Sequence, residues 1–166
     1  MIRGLHHVAV STSDLDRLVA FYTELFGFER VMDGGWSDRP VLDEIVGLPG
    51  SAARQAMLRS GNAYLEIFEY SSHAGHPAPA ERTAADRGYT HFCVDVRDID
   101  AEYARLSAAG MTFHCPPPKL AGGRVRATYG RDPDGNIVEI QEIVDTDLPF
   151  ALEQAELIAA PAEGAP

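Results

Sequence analysis

Apolar and polar positions alternate along residues 5–10. Leu5, His7 and Ala9 fall on one face and His6, Val8 and Val10 on the other, which is the period of a β-strand. Ser11-Thr12-Ser13-Asp14 then supplies helix-starting residues. Leu15, Leu18, Val19, Tyr22, Leu25 and Phe26 form an apolar stripe at helical spacing, so the pattern predicts a helix to about Phe26, closed by Gly27. Phe28–Val31 reads as the next strand. Residues 33–50, rich in Gly, Pro and Asp, read as irregular, with a short helix over Val41–Val46. Residues 53–59 and 63–69 read as two strands turned by Ser60-Gly61-Asn62. In the second of these, Tyr64, Glu66 and Phe68 share one face, and Leu65, Ile67 and Glu69 the other.

Residues 71–87 show no clear period and read as a linker. The pattern then restarts. A strand is predicted over 89–95, a helix from Asp98 to Ala109 closed by Gly110, and a short strand over Met111–His114. Cys115-Pro116-Pro117-Pro118 cannot be a central strand, because proline has no N–H to donate. Strands over 124–129 and 136–142 are joined by the turn sequence Asp132-Pro133-Asp134-Gly135. From about Asp145 the chain is rich in Ala, Glu and Pro, with a short helix predicted over Phe150–Ile158 and a frayed end.

The restart is a true repeat. Gly4, His7, Val10, Asp14 and Asp16 recur as Gly88, His91, Val94, Asp98 and Asp100, each 84 residues further on. Each half therefore reads strand, helix, strand, strand, strand. In each half the first strand carries a His and the last a Glu: His7 and Glu66, then His91 and Glu139. Alone, a strand His or an alternating Glu has an ordinary reading as a core or solvent-face residue. The same residue types on the same strands of both halves favour a common purpose. Two equivalent sheets facing each other would bring the four to one place. Two imidazoles and two carboxylates suit a divalent transition metal.

Composition narrows the classes. A net charge of −11 disfavours non-specific nucleic-acid binding, which rests on Lys and Arg. No apolar run approaches the length of a membrane span. No secretory pattern opens the sequence, and its two cysteines, Cys93 and Cys115, make no disulfide framework, so a reduced, cytoplasmic protein is expected. Cys93 reads as a small buried hydrophobe. His6, facing away from His7, reads as a packing or surface residue. His73, His76 and His114 read as loop or loop-edge residues. Arg54, Arg59, Arg124 and Arg126 are candidates for an anionic substrate or for surface ion pairs. Trp36 and Tyr129 could wall a pocket or pack at the core edge.

Several stretches together resemble the vicinal oxygen chelate superfamily, the group of glyoxalases, bleomycin resistance proteins and extradiol dioxygenases. They are Leu5-His6-His7-Val8-Ala9-Val10, Asp14-Leu15, Phe21-Tyr22 with Leu25-Phe26-Gly27-Phe28, Leu65-Glu66-Ile67-Phe68, Thr90-His91-Phe92-Cys93-Val94, and Asp132-Pro133-Asp134-Gly135-Asn136-Ile137-Val138-Glu139-Ile140. The resemblance implies an α+β fold of two βαβββ modules whose curled mixed sheets form an open cup. Its boundaries here are a domain over 1–145, with module one at 4–70, the linker at 71–87 and module two at 88–143, and a tail over 146–166. It implies one divalent ion (Zn, Ni, Co, Mn or Fe) on His7, Glu66, His91 and Glu139, a small-molecule substrate and a homodimer. The pattern is nearest the glyoxalase I and methylmalonyl-CoA epimerase type, which implies a lyase, isomerase or epimerase. Such an enzyme chelates two vicinal oxygens and moves a proton through an enolate-type intermediate, with Glu66 or Glu139 as base. The alternatives are an Fe(II) ring-cleaving dioxygenase on His7, His91 and Glu139, and a non-catalytic, drug-sequestering resistance protein.

Overall fold

The computed structural model describes residues 4–153. Of the helix predicted over Phe150–Ile158, everything past residue 153 lies outside the described residues. The fold is mixed α+β, with two separate sheets and few helices. The chain divides into two compact units, residues 4–86 with 132–136, and residues 87–131 with 137–153.

In the first unit, β1 (His7–Ser11) leads into α1 (Leu15–Ala20), which runs on as a π-helical turn over Phe21–Leu25. Then come β2 (Glu29–Trp36), α2 (Pro40–Val46), β3 (Ala53–Ser60) and β4 (Ala63–Tyr70). The sheet order is β1-β4-β3-β2, with β1 parallel to β4 and the other pairs antiparallel. In the second unit β5 (His91–Asp95) is followed by α3 (Ile99–Ala108), β6 (Thr112–Phe113), β7 (Lys119–Leu120), β8 (Val125–Arg131) and β9 (Ile137–Ile143). The order β5-β9-β8-β6 repeats the first sheet, with β7 as an extra pairing on β8. Both expected βαβββ modules are therefore present.

Alternation decides which face each sheet buries. In the first unit Ala56, Leu58, Leu65 and Ile67 point toward α1 and are buried with Leu15, Leu18 and Val19. In the second, Val138 and Ile140 are buried, as are Ile99 and Leu106 of α3. Burying a Leu or Ile side chain stabilises by about 1.5–3 kcal/mol, so these faces hold each helix to its own sheet.

The helix starts are fixed by a matched set of charges. Glu69 of β4 accepts from the Leu15 N–H at 3.2 Å. Glu142 of β9 accepts from the Asp98 and Ile99 N–H groups at 2.8 and 3.3 Å. Arg54 grips both oxygens of Asp16 in α1 at 2.9 and 2.8 Å, and Arg126 grips Asp100 in α3 at 2.5 and 2.7 Å. The backbone donors at a helix start lack partners within the helix, and carboxylates satisfy them while matching the helix dipole.

Two sequence expectations change here. β2 continues through Gly34 and Gly35 to Trp36, where an irregular segment was expected. The backbones of β2 and β3 approach so closely there that a Cβ at Gly35 would lie 2.5 Å from the Ala53 carbonyl oxygen. Only glycine fits, and glycine inside a strand conceals it from propensity. The turn Asp132–Asn136 is also more than a turn. It belongs to the first unit, where buried Asp132 accepts from the Tyr22 hydroxyl at 2.8 Å. Asp132 further accepts from the Asp134 and Asn136 backbone N–H groups and from the Asn136 side-chain amide. Arg17 pairs with Asp134 beside it. Tyr22 is fully buried, and its phenol is pushed well above the usual range, by burial first and the Asp132 carboxylate second.

Two outcomes are expected. Tyr22→Phe removes one of the two side-chain donors to Asp132 Oδ2 and lowers the free energy of unfolding in urea by about 1.5–3 kcal/mol. The second concerns Trp36, whose indole N–H donates to Ser51 Oγ at 2.7 Å, while Ser51 donates to Asp43 at 2.6 Å. The Ser51 hydroxyl, then the Gly50 N–H, hold the Asp43 carboxyl below its ordinary range. A carboxyl depressed in the fold stabilises above its unfolded pKa and loses that contribution as pH falls through the folded value. Emission from Trp36, the one tryptophan of the chain, should therefore change only below about pH 4. Ser51→Ala, which removes both hydrogen bonds of the relay, should abolish that change.

Candidate metal centre

β1 pairs with β4 so that His7 lies opposite Tyr64, and Ala9 opposite Glu66. His7 and Glu66 therefore project from one sheet face, away from α1, one step apart along the strands. Their side chains meet, with His7 Nε2 3.2 Å from Glu66 Oε2. The second unit repeats the arrangement. Cys93 lies opposite Glu139, and His91 opposite Ile137. His91 Nε2 is 3.1 Å from Glu139 Oε2.

The other ring nitrogen is held in both cases by the preceding residue. His91 Nδ1 is 2.9 Å from Thr90 Oγ1. His7 Nδ1 is 2.9 Å from His6 Nδ1, one nitrogen donating and the other accepting. Holding Nδ1 fixes the imidazole plane and directs the Nε2 lone pair, the usual outer-shell arrangement of a metal-binding histidine. His6 is an exposed packing residue, as expected, but it does not face away from His7. It precedes β1, so strand alternation does not govern it, and its ring stacks on Tyr64 with centroids 4.9 Å apart.

The spacing is that of a His–carboxylate ion pair and also accommodates a metal. Two donors each about 2.1 Å from one ion lie about 3.0 Å apart at octahedral angles and about 3.4 Å apart at tetrahedral ones. The observed 3.1 and 3.2 Å fall between these. Neutral imidazole and carboxylate are a donor set for first-row transition metals. Each unit by itself contributes two such donors, and no group of three or more His, Cys, Asp or Glu side chains forms among the described residues.

The surroundings are informative. Glu66 is 9% exposed, and its second oxygen accepts from the Gln55 side-chain amide. Tyr70 lies near enough for the Glu66 charge, after burial, to raise its phenol. Tyr129 packs on His91 with ring centroids 4.7 Å apart, and its phenol is raised by burial and then by Glu139. Trp36 stands edge-on to Phe68 and Tyr70, each 5.8 Å away. His114 stands edge-on to Tyr129 with ring centroids 6.2 Å apart, and His73 bonds Ser72.

Cys93 is exposed, contrary to expectation, because β5 alternation places it on the open face with His91. Its thiol is held far above the ordinary range, by loss of solvent around the sulfur first and the Glu139 carboxylate second. The four arginines considered for substrate binding all have carboxylate partners. Arg54 pairs with Asp16 and Glu69, Arg59 with Glu29, Arg124 with Asp145 and Arg126 with Asp100. Gln55 had no sequence signal. Its role depends on the β3–β4 register, which composition does not specify.

Two βαβββ units, each with an imidazole–carboxylate pair on its open face, define a protein of the vicinal oxygen chelate type. Residues 4–140 match the model of the Glyoxalase/Bleomycin resistance protein/Dioxygenase superfamily, and the chain belongs to that family. It is similar to a 2-epi-5-epi-valiolone epimerase of an Actinomyces species, 33% identical over 82% of this chain and 78% of that protein. It is also similar to a lactoylglutathione lyase of Schizosaccharomyces pombe, 26% identical over 82% of this chain, which spans only 46% of that protein. Among solved structures, a glyoxalase family protein from Bacillus cereus has the same fold, with a TM-score of 0.75 at 18% identity over 86% of this chain and 95% of that one.

The arginine assignment has a direct check. Arg54→Ala and Arg126→Ala should each lower the melting temperature, by an amount that shrinks as salt screens the lost ion pairs.

Proposed function

We propose that the protein is a metal-dependent enzyme, an epimerase, isomerase or lyase, acting on a small molecule with two adjacent oxygens. In this reading His7, Glu66, His91 and Glu139 hold one divalent ion. The observation that carries it is the duplicated pair, an Nε2 and a carboxylate oxygen at ligand spacing with the other ring nitrogen already held. Family membership and the epimerase and lyase relatives support the reaction class.

The ion, when bound, supplies a Lewis acid that stabilises the negative charge created when a proton leaves a carbon next to a carbonyl. The chain supplies the rest. His6 and Thr90 keep each imidazole in one orientation, so both Nε2 atoms are set before anything binds. Glu66 or Glu139 takes the carbon-bound proton. Delivery of a proton to the opposite face by the other carboxylate inverts that centre, and delivery to the neighbouring carbon, with the hydroxyl proton passing to the former carbonyl oxygen, isomerises the substrate. Cys93 is a poor nucleophile in this setting, because its thiol is held protonated beside a carboxylate.

The test begins with metal content after exposure to Zn(II), Ni(II), Co(II), Mn(II) and anaerobic Fe(II). About one ion per chain is expected, with loss in His7→Ala and in His91→Ala. Deuterium incorporation from heavy water is then followed at the epimerised carbon of 2-epi-5-epi-valiolone and in lactoylglutathione. At least one of Glu66→Gln and Glu139→Gln should slow exchange by about 10²-fold or more. Full exchange in both variants would remove the carboxylates from the mechanism. Uptake of Fe(II) alone, with oxygen consumption on a catechol, would favour the dioxygenase class.

A further inference from the structure

We propose that Gln55 is a positioning residue that fixes the Glu66 carboxylate, making the two halves of the metal centre inequivalent despite their shared ancestry. The inference rests on the metal-binding reading of His7 and Glu66.

The geometry is set by the register of β3 and β4. Met57 lies directly opposite Glu66, and Gln55 lies opposite Phe68. Gln55 is therefore the diagonal neighbour of Glu66 on the same sheet face. A diagonal pair is too far apart for short side chains but within reach of long ones. The Gln55 amide donates to Glu66 Oε1, while Oε2 faces His7 Nε2. Both carboxylate oxygens are thereby committed, and the group cannot turn about its last bond without losing one of them.

In the second unit no amide takes this place; the Cys93 thiol, opposite Glu139 across β5 and β9, is the side chain hydrogen-bonded to that carboxylate. Tyr129 lies opposite Glu139 as Met57 lies opposite Glu66, and Ala127 lies opposite Gln141 as Gln55 lies opposite Phe68. Ala127 thus stands where Gln55 would be, and a methyl group has nothing to donate. Glu139 meets its histidine in the same way as Glu66 but has no equivalent amide.

The choice of side chain fits positioning. An arginine or lysine at 55 would neutralise Glu66 and weaken it as a donor to a cation. A neutral amide orients one oxygen and leaves the net charge in place. Outer-shell partners of this kind commonly change metal affinity by 10–100-fold when lost.

The experiment uses Gln55→Met, which keeps the length and bulk of the side chain and removes its donor. Co(II) affinity is measured by the visible spectrum of the full-length protein, with a thermal melt on the same samples. We expect Co(II) to bind about tenfold more weakly in Gln55→Met, with an altered visible spectrum, while the thermal melt shows the variant still fully folded at the temperature of the titration. Gln141→Met, on the open face of the other unit, should match the wild type. Equal affinities for wild type and Gln55→Met would overturn the proposal. A wild type that takes up no Co(II) would instead overturn the metal reading. The nitrogen-15 spectrum of the Gln55 side-chain amide then decides the contact itself. A shift of that signal in Glu66→Ala upholds the Gln55–Glu66 contact, and an unmoved signal refutes it.

Discussion

Each module depends on a carboxylate that receives the start of its helix. Glu69 takes the first N–H of α1 and Glu142 takes those at the start of α3. These contacts pin the helix to the last strand at the end where the helix has unsatisfied donors and positive dipole charge. The helix then lies across one sheet face and buries it, so the opposite face stays open. Each pinning glutamate is three residues after the glutamate beside the histidine, Glu66 before Glu69 and Glu139 before Glu142. An odd spacing along a strand sends the two to opposite faces. One acid holds helix to sheet and the other stands on the opposite face beside the histidine, and a one-residue slip of the strand would exchange the two.

That same rule explains what was legible in the sequence. The strand carrying His7 and the strand carrying Glu66 were readable because their alternation is strong and each is bounded by turn residues. The repeat at 84 residues made His91 and Glu139 readable too. Roles that depend on pairing between strands were hidden. Gln55 and Arg54 differ by one position, yet one orients a carboxylate on the open face and the other clasps Asp16 on the helix side. Composition offers the arginine as the better ligand-binding residue. Alternation gives the open face to the glutamine. The β2 glycines misled for a related reason, since the close backbone approach that demands them is tertiary.

Asp132 shows the limit most plainly. Its tetrad Asp132-Pro133-Asp134-Gly135 carries every local mark of a surface turn. Burial of Asp132 rests on a hydroxyl more than a hundred residues earlier in the chain, Tyr22, in the π-helical turn at the end of α1. A π turn adds a residue to the helix and rotates the side chains beyond it. Tyr22, Phe26 and Phe28 meet as a ring cluster behind it, with Tyr22 stacked on Phe28 at 5.7 Å. No pattern of apolar spacing announces an inserted residue of this kind.

Duplication also separates what is shared from what has drifted. The parts that match in both modules are the histidine, its held Nδ1, the facing glutamate, the pinning glutamate and the Arg–Asp clasp. The parts that do not match lie around them. The first unit has an eight-residue β2, the helix α2 and the Trp36–Phe68–Tyr70 cluster, where the second has a two-residue β6 and the segment Cys115–Pro118. An ion asks only for donors at the right spacing, and donors are what both copies retain. A substrate asks for shape, and shape is where the copies diverge. On the proposed function, discrimination between substrates therefore belongs to the unmatched segments, above all to β2 and α2 with the single tryptophan they hold in place through Ser51 and Asp43.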